Sequence, residues 1–147
     1  MRVKAWAQWE HEVADRMGGS LVKASGATDY AKGDVKTGRF LIDCKHTGLR
    51  AYTLSLDLWS NLSSWARNEG REPMVAVRLY EMGEPIDMLV VTELAYAERH
   101  PDYAPPKEGK SVRNKTLLAK LIKSGPYQFS LGNNRLVACR FEEDFER

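Results

Sequence analysis

No apolar run in this 147-residue chain exceeds four residues, as in Met88-Leu89-Val90-Val91. A membrane-spanning helix needs about 20 consecutive apolar residues, so no membrane segment is expected. Near the amino terminus, Glu10, His11 and Glu12 occupy the stretch that a secretion signal would have to keep apolar, and a cytoplasmic location is the expectation. Cysteine is scarce. Cys44 and Cys139 form neither a metal-binding pair nor a disulfide framework, and both are expected as buried thiols in strands. The histidines, His11, His46 and His100, lack zinc-ligand spacing, so none is assigned to a metal or to catalysis. No internal repeat is visible. Excess charge is small too: a net charge of +2 says little about partners. Its distribution says more, because between 107 and 123 Lys107, Lys110, Arg113, Lys115, Lys120 and Lys123 stand against Glu108 alone. Such a block is either a solvated helix face or a contact for nucleic acid.

What is present suffices for a globular interior. The chain is 43% hydrophobic, with four Trp, six Tyr and four Phe, and at this length about two thirds of the unfolded surface can be buried around one core. One domain, residues 1–147, is therefore expected. Residues 5 to 17 predict a helix, since Trp6, Trp9, Val13 and Met17 recur at three- and four-residue spacing and Gly18-Gly19 follows. A rotation of about 100° per residue places Glu10 inside the stripe of Trp6, Val13 and Met17, whereas Glu12 falls on the opposite face. A carboxylate within an apolar stripe either snorkels at its edge or needs a partner.

Leu21 to Ser25 predicts a short strand, followed by the loop SGATDYAKG and then GDVKTGRFLIDCKHT, residues 33 to 47, which has the pattern of a tight hairpin. A two-residue turn at Thr37-Gly38 would pair Lys36 with Arg39, Val35 with Phe40 and Asp34 with Leu41. Strand alternation then puts Phe40, Ile42 and Cys44 on one face and Leu41, Asp43 and Lys45 on the other, together with Asp34. Further on, Leu58, Leu62, Trp65 and Ala66 mark an amphipathic helix from Ser55 to about Gly70, ahead of the apolar strand Met74 to Tyr80. A strand–helix–strand unit of this kind implies a parallel crossover. Beyond it, a strand at Ile86 to Val91, a helix around Glu93 to Arg99 and a proline-rich break are expected. A basic helix from Lys115 to Lys123 and a closing hairpin around Gly132-Asn133-Asn134 complete the chain.

The charged residues of the hairpin suggest chemistry. Hydrolysis of a phosphodiester by hard divalent ions needs oxygen ligands that hold a cation against the scissile phosphate. Asp34 and Asp43, about 7 Å apart as a diagonal cross-strand pair, could share one metal, with the Cys44 carbonyl as a further ligand. Lys45 would orient or deprotonate the attacking water and offset charge developing on phosphorus. Glu10 would approach from the first helix. Each residue also has a plainer explanation: Asp34 as a turn cap, and Asp43 with Lys45 as a surface ion pair worth under roughly 1 kcal/mol.

These residues resemble the PD-(D/E)xK nuclease superfamily, and within it the archaeal-type Holliday junction resolvases, also found in some phages. WEHEVADRMGG looks like that family's first helix, LVKASGA like the second-strand run that enters its DNA-contacting loop, and AKGDV with FLIDCKHT like its metal-binding aspartate and (D/E)xK strand. YTLSLDLWSNLSSWARNEGREPMVAVRLY resembles the helix and strand that follow, so the resemblance spans about residues 5 to 80. It implies an α/β, restriction-endonuclease-like core: a helix, three antiparallel strands, a helix and a parallel strand, in a mixed sheet flanked by helices. It also implies Glu10, Asp34, Asp43 and Lys45 as catalytic set, Mg²⁺ as cofactor with Mn²⁺ as substitute, a homodimer, and a four-way DNA junction as substrate. No small-molecule cofactor is expected. Gly33 stands where the superfamily name has proline, Asp43 where glutamate is commoner, and Lys23 where those resolvases tend to carry arginine. Residues 81–147 have no counterpart in the short archaeal enzymes and are expected as an extension packed on a 1–80 core.

The implied function is structure-selective cleavage of Holliday junctions, with in-line attack by water leaving a 5′-phosphate and a 3′-hydroxyl. Lys23, Ser25, Lys110, Arg113, Lys115 and Lys120 are the expected backbone contacts. Two alternatives stay open: the same chemistry on flaps, ends or short recognition sites, and a catalytically silent DNA-binding module of the same fold.

Overall fold

The computed structural model describes residues 4–22, 34–107 and 109–141. The SGATDYAKG loop, most of the Leu21 to Ser25 strand, and Lys23 and Ser25 with it lie outside the described residues. The first element is helix α1, Ala5–Met17, and the apolar stripe is why it forms where it does. It ends in a glycine-dependent stop: Gly18 takes φ 67°, Gly18 N–H donates to Asp15 O and Gly19 N–H to Ala14 O. Short strands β1 (Ser20–Leu21) and β2 (Val35–Lys36) precede β3 (Phe40–His46) and β4 (Ala51–Ser55). Helix α2, Leu56–Asn68, starts at Ser55, whose hydroxyl accepts the Leu58 N–H, a cap worth about 1 kcal/mol. Then come β5 (Glu72–Glu81), β6 (Glu84–Thr92), α3 (Glu93–Arg99), β7 (Ser111–Val112), β8 (Asn114–Leu118), α4 (Ala119–Lys123), β9 (Tyr127–Leu131) and β10 (Asn134–Arg140).

Among the described residues the strands form an eight-stranded sheet, in the order β1-β2-β3-β5-β6-β10-β9-β7, and a two-stranded sheet of β4 with β8. The fold is mixed α/β, with helices on both faces of the central sheet. β3 runs parallel to β5, as the strand–helix–strand unit requires, and α1, the β1–β3 strands, α2 and β5 follow in the expected order. The remaining pairings are antiparallel apart from β7 with β9.

Strand alternation divides the interior into two layers. Phe40 and Ile42 of β3, Met74 and Ala76 of β5, Leu89 and Val91 of β6, and Val137 and Cys139 of β10 face α1 and α3. Leu41, Val75, Val77, Met88, Val90, Leu136 and Ala138 face the other way, onto α2, α4 and the β4–β8 pair. Because both faces of these strands are covered, their sequences read as continuous apolar runs.

Three sequence-based expectations are corrected. The hairpin pairs Val35 with Ile42 and Lys36 with Leu41, two residues away from the expected register. Thr37 N–H donates to Phe40 O and the Thr37 hydroxyl accepts from Arg39 and Phe40 N–H, so the turn centres on Gly38-Arg39. An even shift keeps the parity of faces. Second, Lys115 belongs to β8 and not to a helix: Asn114–Leu118 pairs with β4, which periodicity missed, and only Ala119–Lys123 is helical. Third, Trp6 is 53% exposed and leaves Trp9, Val13, Ala14 and Met17 to make the buried stripe. Residues after Glu81 extend the same sheet through β6, β10 and β9.

Candidate active site

α1 is pinned above β5 by Trp9, the first residue of its buried stripe. The Trp9 indole N–H donates to Ala76 O at 3.1 Å, deep in the interior, a bond worth about 1 kcal/mol. Arg78 lies 4.5 Å from the centre of the Trp9 ring and makes a paired contact with Asp87 and another with Glu12, whose shortest distances are both 2.7 Å. Arg16 joins the same network through Asp87 at 2.9 Å and stacks over Phe141. Glu12, on the polar face of α1, is therefore an anchor to the sheet. Glu10, two residues earlier, points elsewhere.

Glu10 is half-buried close to Asp34. Burial raises its carboxyl to about 7, and the negative charge of Asp34 adds to the effect. Asp34 sits where β2 begins: its N–H donates to Ile42 O at 2.7 Å and its C=O accepts from Val22 N–H. Its side chain turns along β3 and accepts the Cys44 N–H at 2.8 Å, occupying a backbone donor that strand pairing leaves open. Asp43 stands on the Leu41 face of β3, its side chain 15% exposed, with Lys45 Nζ at 3.5 Å. Burial pushes Asp43 up to about 7 against the pull of Lys45, while Asp34, within hydrogen-bonding reach, raises it further. A burial effect, reinforced by Asp34, Glu10 and Asp43, also pushes the half-buried Cys44 thiol far up and keeps it an inert SH group.

The helix carboxylate, both aspartates and the lysine thus occupy one locality. Among the described residues no three His, Cys, Asp or Glu side chains converge tightly enough to cage an ion by themselves. Asp34 and Asp43 are associated closely enough that the Asp34 carboxylate helps to raise the Asp43 carboxyl, against the pull of Lys45. Arrangements of this type can release a proton to admit a dication, or hold and transfer one.

Tyr52 of β4 was not singled out by sequence. Its half-buried phenol is held strongly in the OH form, first by burial and then by the charge of Asp43. The alternating Ala-Tyr-Thr-Leu-Ser pattern is the signal that could have located it, since it places Tyr52 and the buried Leu54 on one face of a strand.

The expected nucleic-acid contacts among the described residues differ in their surroundings. Lys110, Arg113 and Lys120 are exposed, and Arg113 makes only a loose 3.9 Å approach to Asp57. Lys115 instead lays its ammonium 5.1 Å from the centre of the Tyr127 ring, on the side of β8 that carries the buried Leu117. Arg50, not anticipated, is exposed beside Lys120 in a cavity of about 450 Å³ that Met82 and Leu118 also line. Cys139 is buried, His46 Nε2 lies 3.1 Å from the Tyr80 hydroxyl, and His100 stacks on Tyr96. Among the described residues no helix is long and apolar enough to cross a membrane.

No protein-family model matches the chain, and no curated protein matches it. Among solved structures the chain is similar to that of Hjc, a Holliday junction resolvase from the archaeal hyperthermophile Archaeoglobus fulgidus, at 22% identity, covering 54% of this chain and 72% of that one, with a TM-score of 0.42.

Proposed function

We propose that the chain is a metal-dependent endodeoxyribonuclease that hydrolyses phosphodiester bonds in branched DNA, four-way junctions foremost. One observation carries the reading: Asp34 and Asp43 stand within hydrogen-bonding reach of each other, with Lys45 3.5 Å from Asp43 and Glu10 beside Asp34. Two half-buried carboxyl groups held close together cost stability unless a cation or a proton offsets their charge.

The donor set fits Mg²⁺, with Mn²⁺ as substitute. Its donors are oxygens, and magnesium uses one or two carboxylates and completes its shell with water and phosphate oxygens, so a closed protein cage is not needed. Asp34, Asp43 and the Cys44 carbonyl would hold the ion, with Glu10 as a further ligand. When bound, Mg²⁺ polarises the phosphate and lowers the pKa of water. Lys45 orients the attacking water or takes its proton, and its charge offsets that developing on phosphorus. Asp34, tied to Cys44 N–H, is held in place before substrate arrives. The bond breaks to a 5′-phosphate and a 3′-hydroxyl. Lys110, Arg113 and Lys120, with Lys23 and Ser25 outside the described residues, contact phosphates and read shape more than sequence. A homodimer would bring two such sites to the paired strands of a junction, and residues 1–147 act as one unit in the cytoplasm.

The test is cleavage of labelled four-way junctions and of linear duplexes in Mg²⁺, with and without EDTA. Asp34→Asn is expected to abolish cutting while junction binding persists. Undiminished cutting by that variant would refute the site, and equal cutting of linear duplex would refute the junction preference.

A further inference from the structure

Trp6 is the apolar residue that the helical stripe expects to be buried and that the fold leaves 53% exposed. It stands one helical turn before Glu10, and residues four apart on a helix have their Cβ atoms about 5–6 Å from each other. Glu10 in turn feels the charge of Asp34, so helical spacing puts the half-exposed Trp6 on the face of α1 that carries the cluster's glutamate. Around it the first turn of α1 carries no acidic residue, and Lys4, its N-cap, is exposed. Trp9, three residues on, is fully buried and hydrogen-bonded, so burial of an aromatic in this helix was available and Trp6 does not take it. An indole left half in water offers an apolar π-face to which a flat ligand can stack, burying that area on binding.

We propose that Trp6 is a stacking platform for a nucleobase of the strand being cut, one that is unpaired or unstacked next to the scissile phosphate. The inference rests on the reading of the site as a nuclease and names the part of the substrate it grips. Every base offers a π-face, so the contact is indifferent to sequence but requires a base that has left its duplex neighbour. The exchange point of a branched DNA supplies such bases when it opens, and an intact duplex does not. Trp6 thereby favours branched over linear substrate, while Lys4 provides a cation for the adjacent backbone.

The test pairs protein and DNA changes. Trp6→Ala and Trp6→Phe are assayed on four-way junctions carrying single abasic positions stepped through the nucleotides flanking the cut. On intact junctions Trp6→Ala is expected to lower kcat/KM roughly 5- to 150-fold, the factor to which base stacking amounts, with Trp6→Phe retaining most of it. One abasic position should cost the wild type a similar factor and cost Trp6→Ala almost nothing more, a non-additivity that a general loss of structure does not produce. Because Trp6 is exposed, an unchanged melting temperature is expected for both variants.

Wild-type cleavage with independent, multiplicative effects at every abasic position would overturn the platform and leave the nuclease reading standing. Conversion of a wild-type dimer to a monomer by Trp6→Ala, seen by light scattering, would reassign the indole to contact between copies. If the wild type cuts no branched DNA in Mg²⁺ or Mn²⁺, the nuclease reading and the platform fall together.

Discussion

Replacing Asp43 by Asn should stabilise the protein, and more so at higher pH. In the unfolded chain this carboxyl titrates near 3.8, while in the fold burial and Asp34 raise it to about 7. With the folded value above the unfolded one, the protonated form favours folding. That contribution is complete below about 3.8 and disappears as pH climbs through 7. The full displacement corresponds to about 4 kcal/mol, of which about 2–3 kcal/mol falls between pH 5 and pH 8. Asn fills the same space and carries no charge, so its advantage over the wild type should widen by that amount across the interval. For a chain of this size the widening is on the order of 8 °C in Tm. Thermal unfolding followed by circular dichroism at both pH values, in EDTA, measures it. Adding Mg²⁺ at pH 8 should raise the Tm of the wild type and leave Asp43→Asn nearly unmoved. A pH-independent difference between the two proteins, or a less stable variant at pH 8, would show that Asp43 does not sit in the electrostatic environment described.

Two further outcomes follow from other parts of the molecule. Exchanging Lys110, Arg113 and Lys120 together for Ala should lower the slope of log affinity against log salt for junction DNA by up to about 3, since each phosphate contact contributes about 0.9; an unchanged slope would take these cations off the binding surface. Gly19→Ala places a methyl group on the Lys36 carbonyl oxygen, with Thr37 also in contact, so it should destabilise by about 1–3 kcal/mol in urea unfolding and weaken cleavage by displacing β2 and Asp34; wild-type stability would mean that α1 and β2 are not packed this closely.

Much of the geometry of the candidate site was legible in the chain because its signals are local. The Trp9-Val13-Met17 spacing oriented α1, and with it Glu10, while the period of two along Phe40–His46 separated Asp43 and Lys45 from Ile42 and Cys44. The register of the β2–β3 hairpin was not legible, because the choice between Thr37-Gly38 and Gly38-Arg39 depends on where the Thr37 hydroxyl finds its donors. Facing residues survived that error because the slip was even. β4 and β8 escaped notice for another reason: each is five residues long and stabilised by its distant partner, and the lysines around Leu117 mimic a helix face. Long-range pairing outweighed local pattern there. Trp6 was misjudged because helical spacing reports which residues share a face and not where the neighbouring layer stops.

β5 carries a consequence of its own. It is the strand against which β3 is braced, and its other edge is taken by β6 from Val75 with Val90 to Glu81 with Glu84. Met88 and Val90 feed one interior layer, and Leu89 and Val91 the other. The β1–β3 strands and α1 therefore borrow their stiffness from β6 and the strands beyond it. A gene fragment ending at Glu81 would strip the bracing strand along its length, and the part that carries Asp34 and Asp43 should not be transplantable without the segment that follows it.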